Sequence, residues 1–105
     1  MTMKIKIAKK NELKQDKLIV KSIHNYQICL LARGDRVIAF EDMCSHDGES
    51  ISEGELKGDC ITCPRHMAEF DLKTGEALCM PATEPIKIFP VTIVGDEIEI
   101  DLEDI

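Results

Sequence analysis

The chain has no tryptophan, one tyrosine and three phenylalanines, so aromatic residues make up 4% of its 105 positions. Its core must be filled by Ile, Val and Leu, with Phe40, Phe70 and Phe89 as the only large anchors besides Tyr26. One modest domain, residues 1–105, is all such a length supports, and a thin core gains from a metal that ties loops together. Basic residues are also scarce: 13 against 20 acidic, a net charge of −7, which argues against nucleic acid as a partner. The same charge suits a basic protein partner. No apolar run is long enough to span a bilayer. The opening MTMKIKIAKKNELK lacks the unbroken apolar stretch of a secretory signal, so the expected location is the cytoplasm. Five cysteines, an odd count, cannot all pair internally and point to free thiols or metal ligands. There is no long helical periodicity, and no Gly-rich βαβ fingerprint for a nicotinamide cofactor.

What the chain does have is alternation of period two. Residues 3–7 (MKIKI) and 18–22 read as strands. Residues 26–32 and 36–41 read as a hairpin turning at Gly34-Asp35, and 91–94 with 97–102 as another turning at Gly95-Asp96. Between these hairpins, from about 43 to 85, the sequence becomes rich in Gly, Ser, Pro, Asp and Glu. Short apolar pieces interrupt it at 60–62, 69–72 and 76–79, and DLKTGEAL forms a small hairpin at Lys73-Thr74-Gly75. The expected architecture is an all-β frame of small antiparallel sheets carrying an inserted, turn-rich subdomain.

The chemistry-bearing residues crowd into that insert. MCSHDGESISEGELKGDCITCPRH holds Cys44-x-His46 and, after a gap of sixteen residues, Cys63-x-x-His66. One Cys-x-His pair means little, since buried Cys and hydrogen-bonded His are common. Two pairs in turn-rich loops are a set of four ligands. Zinc takes two thiolates and two imidazoles as a closed tetrahedron; a [2Fe–2S] cluster with two histidines on one iron takes the same set. The order Cys-His, Cys-His and the missing helix differ from the usual zinc finger.

Together with FDLKTGEAL (70–78), PATEPIKIFPV (81–91) and GDEIEI (95–100), these loops make the chain resemble a low-potential Rieske-type [2Fe–2S] ferredoxin of the dioxygenase kind. The resemblance implies that Cys44 and Cys63 bind the buried iron, that His46 and His66 bind the outer one, and that residues 81–85 cover the cluster. It also implies a soluble one-electron carrier between an NAD(P)H-dependent flavoprotein reductase and a terminal oxygenase or similar acceptor. The rival readings are a zinc-stabilised interaction module and an accessory redox subunit of a larger oxidoreductase. The chain is not itself the oxygenase, whose mononuclear iron needs two histidines and a carboxylate; only His24 remains.

Two thiolates in place of four leave the site less negative, so histidine ligation raises the potential. High-potential members of the resembled family add a disulfide between the loops and hydroxyl donors after the second histidine. The corresponding positions are Glu49, Arg65, Ala68 and Phe70, which supply neither. The expected midpoint is about −150 mV, the bottom of the Rieske range. One departure is Met67, where the family usually has Gly; if the position needs a positive φ, Met there is strained by roughly 1 kcal/mol or more. Arg65, within the second loop, could tune the potential upward or touch a partner, with an exposed charge as the plainer expectation. Cys60 is expected as a strand residue despite forming Cys60-x-x-Cys63, Cys29 as core, Cys79 and Met80 as packing, and His24 as a surface residue. Asp47, Glu49, Glu53 and Glu55 are candidates for a docking face.

Overall fold

The computed structural model describes residues 2–43, 50–63, 67–78 and 85–103. In chain order the described strands are β1 (Thr2–Lys9), β2 (Leu18–Ile23), β3 (Tyr26–Arg33), β4 (Arg36–Glu41), β5 (Glu55–Lys57), β6 (Cys60–Thr62), β7 (Glu69–Asp71), β8 (Ile88–Phe89), β9 (Val91–Val94) and β10 (Glu97–Glu103). They form three antiparallel sheets, ordered β1-β10-β9, β2-β3-β4-β8 and β5-β6-β7. A 3-10 turn, Lys10–Glu12, follows β1. Among the described residues no helix is long and apolar enough to cross a membrane.

The all-β expectation holds, and the differences have local causes. β1 runs past residue 7 because a bulge between Lys6 and Ala8 lets pairing with β10 continue to Lys9. β2 turns into β3 through His24 and Asn25, both at positive φ (48° and 72°), the conformation a two-residue hairpin turn demands. His24 is therefore an exposed turn residue, as expected. β7 stops at Asp71 because the Leu72 N–H leaves the strand for the Asp59 carbonyl, at 2.8 Å. Of the strand expected at 76–79, a bridge between Ala77 and Phe70 is present, and Cys79 lies outside the described residues. β5 and β8 were not foreseen; each is short and is defined by its partner rather than by its own sequence.

The middle sheet is covered on both faces. Ile28 and Leu30 of β3, with Ala39 and Phe89, pack against Ile7, Ile98, Ile100 and Leu102 of the first sheet. Cys29 and Leu31, with Ile38 and Phe40, pack against Ile51, Ile61, Cys63, Phe70 and Leu72 on the other side. Adjacent residues of an extended chain point to opposite faces, so the unbroken apolar run ICLLA is what a strand between two cores requires. The scarce aromatics fall where they were expected: Phe40 and Phe70 are fully buried and Phe89 is 2% exposed.

Candidate metal centre

Of the four candidate ligands, Cys63 is described, while Cys44, His46 and His66 lie outside the described residues, as do Arg65, Asp47, Glu49, Cys79 and Met80. Cys63 follows β6 directly. Alternation along the strand turns Ile61 and Cys63 toward the core they share with Phe40 and Phe70, and the Cys63 side chain is fully shielded from solvent. The chain leaves at Cys63 and returns at once. The Cys63 N–H donates to the Ala68 carbonyl at 2.7 Å, and the Met67 N–H donates to the Cys63 carbonyl at 3.0 Å. These two bonds hold together the ends of the loop that contains residues 64–66.

The return needs a left-handed residue, and Met67 supplies it at φ +61°. The backbone has not adjusted to spare the side chain, so the strain anticipated from the sequence is present. The Met67 side chain is 60% exposed beside a cavity of about 200 Å³, lined also by Glu53, Gly54, Glu55, Thr62 and Cys63.

Cys60 sits on the opposite side of β6 and stays out of the core that holds Cys63. Desolvation pushes its pKa up, and the carboxylates of Asp71, Glu69 and Asp59 add to the effect. The Cys-x-x-Cys spacing is thus a strand residue followed by a loop residue, as expected. Cys29 is fully buried core; burial raises its pKa strongly, and the nearby Asp42 carboxylate adds to this. Ala68 and Phe70, where hydroxyl donors would stand in a high-potential site, are both completely buried and apolar. Glu53 and Glu55 are exposed.

Three positioning features escaped the sequence reading. The Asp42 carboxylate gathers donors from residues 50–52. Gly54 is packed so tightly that an added Cβ would lie 1.8 Å from the Thr62 carbonyl oxygen. Arg33, at the end of β3, pairs with Asp16 at 2.9 Å, reaches Asp59 at 3.4 Å and donates to the Gly58 carbonyl. Lys73 closes on the same Asp59 at 3.1 Å and, with Arg33, holds its carboxyl below the usual range. Arg33 thereby ties the β5–β6 turn to the middle sheet. An Asp two residues before a candidate cysteine was the one sequence cue available; the other two contacts join positions distant in the chain.

A soft sulfur donor at the neck of a short loop is one that iron–sulfur and zinc sites use, although among the described residues no three candidate ligands are gathered at one point. The fold narrows the choice. The chain belongs to the Rieske [2Fe-2S] domain family, whose model matches residues 3–90. It is 49% identical over 76 residues to the 3-phenylpropionate/cinnamic acid dioxygenase ferredoxin subunit of Escherichia coli K12, covering 71% of this chain and 72% of that protein. The Sphingomonas yanoikuyae B1 ferredoxin superposes with a TM-score of 0.86 at 26% identity, over 95% of this chain and 99% of that one. A complex of reduced oxygenase and oxidised ferredoxin in carbazole 1,9a-dioxygenase contains a chain matching at TM-score 0.82 and 28% identity, over 92% of this chain and 91% of that one. The cofactor is accordingly a Rieske-type [2Fe–2S] cluster, and zinc is set aside.

Proposed function

We propose that this chain, a single Rieske domain with its cluster-binding subdomain at about 43–85, carries single electrons from an NAD(P)H-dependent flavoprotein reductase to a terminal oxygenase. Cys44 and Cys63 would hold the inner iron, and His46 and His66 the outer one. When bound, the cluster supplies one-electron redox chemistry; binding, shielding and presentation fall to the protein. Cys63 contributes a thiolate whose position is fixed by the two hydrogen bonds at its loop's neck, and the apolar wall of Phe40, Ile61 and Phe70 keeps water from its sulfur. With Ala68 and Phe70 offering no hydroxyl to a cluster or ligand sulfur, the oxidised state is favoured and the midpoint is set near −150 mV, approximately the lower end of the Rieske range.

The observation that carries this reading is the buried Cys63 at the base of a closed loop, in a chain matched by the Rieske family over residues 3–90. The oxygenase as acceptor is supported by the relatives: one is named a dioxygenase ferredoxin subunit, and another is held in a complex with its oxygenase. Such subunits transfer electrons and leave the organic chemistry to another chain.

Purified protein is expected to be red-brown, to release acid-labile sulfide and to give a rhombic EPR signal on reduction with dithionite. His66→Cys should abolish that signal whether or not iron is retained. A colourless, zinc-loaded protein from iron-replete cells would overturn the reading, and a midpoint above about +100 mV would overturn the low-potential assignment.

A further inference from the structure

Asp42 follows β4 directly, two residues before Cys44. One of its carboxylate oxygens accepts the Ile51 N–H at 2.8 Å and the Ser52 N–H at 2.7 Å, and the Ser50 hydroxyl lies 2.9–3.0 Å from the two oxygens. Three consecutive residues thus converge on one side chain. They draw the chain together at the neck of the segment between 42 and 50. The clasp is itself anchored, because the Asp42 N–H donates to the Gln27 carbonyl of β3 at 2.7 Å.

The segment it grips leads to the other half of the centre. Ile51 is fully buried in the same core as Cys63. The Gly54 N–H turns back to the Ile51 carbonyl at 2.9 Å, and Gly54 lies against Thr62, the residue before Cys63, so closely that only glycine fits. Residues 50–54 therefore form a strap, with the Asp42 carboxylate at one end and the Cys63 loop at the other.

We infer that Asp42 is a positioning residue whose carboxylate latches this strap and so holds residues 42 and 50, the two ends of the segment that carries Cys44 and His46, at a set place beside Cys63. The inference rests on the ligand assignment proposed above. A cluster bound by both loops needs their ligands at one fixed separation, and holding that separation in advance spares the ordering of a loop on binding. Partners that orient ligands are worth about 10–100-fold in metal retention.

The test compares wild-type holoprotein with Asp42→Ala, Asp42→Asn and, as a control for charge alone, Asp96→Asn in the exposed β9–β10 turn. Asp42→Ala should lose its visible absorbance about 10–100-fold faster in the presence of a chelator and broaden the EPR lines, with the far-UV β signal unchanged. Asp42→Asn keeps an acceptor oxygen and should lose cluster by a smaller factor. Asp96→Asn should match wild type. An Asp42→Ala protein that melts earlier yet keeps the wild-type loss rate and EPR line shape would make Asp42 a fold residue only and overturn the inference. Should Asp42→Ala fail to fold, hydrogen exchange on wild type decides: the Ile51 and Ser52 amides are expected to be protected, and exchange at unstructured rates would overturn the latch. A wild-type protein with no Rieske signal removes the ligand assignment and the inference together, whereas an intact wild-type signal with unaffected variants removes the inference alone.

Discussion

The sheets on either side of the Phe40 core are built by different means. In β1–β4, β9 and β10 the strands run four to eight residues along antiparallel ladders interrupted by a bulge in β1, so order follows from pairing over length. In β5–β7 the strands are three residues long, and order rests on individual bonds: Asp71 accepts the Lys73 N–H at 2.7 Å, the Gly75 N–H reaches the Asp71 carbonyl at 2.7 Å, and Met67 takes a left-handed backbone. A periodic frame tolerates single changes at its surface, while a region held by single bonds depends on each one. The insert thus leans on Arg33, on the shared core and on its cofactor.

The sharpest way to break this contrast is Phe70→Ala, which empties the insert's main anchor. The expected cost is about 3–5 kcal/mol. It should appear as bleaching of the visible absorbance at lower denaturant than loss of the far-UV β signal. Coincident transitions in this variant would mean that frame and insert unfold as one. A smaller and opposite effect is expected from Met67→Gly, which relieves the left-handed strain and should raise the stability of the holoprotein by about 1 kcal/mol. A fall instead would show that the Met67 side chain contributes more than its backbone costs. The smallest effect concerns surface charge. Glu12 beside Lys21 and Glu97 beside Lys6 in the frame, and Asp59 beside Lys73 and Arg33 in the insert, have carboxyl groups held below their usual pKa by those partners. A depressed folded-state pKa adds stability above the unfolded carboxylate value and loses it as pH falls through the folded one. Thermal midpoints should therefore drop below roughly pH 4, and Asp59→Asn should flatten that decline slightly. An unchanged slope in Asp59→Asn would leave the acid response to the frame pairs.

The sequence was most readable where structure is periodic. The hairpin at 26–41 and the one at 91–102 were placed within a residue because alternation and turn chemistry agree. β5 and β8 were missed because two- and three-residue strands carry no period and exist through pairing with Thr62 or Phe40. In the insert, the turn-rich composition marked the loop that follows Cys63, and the unusual Met67 was visible as a departure from a resembled family. Asp42 and Gly54 were not legible as positioning residues, since their meaning lies in contacts to Ser52 and Thr62 that only the folded chain creates.

β3 is a party wall. Ile28 and Leu30 furnish one room, and Cys29 and Leu31 the next. Neighbouring positions can drift independently, each answering to its own interior. A one-residue insertion or deletion between Tyr26 and Arg33 would swap the furnishings of both rooms at once, so this stretch should tolerate substitution far better than a change in length.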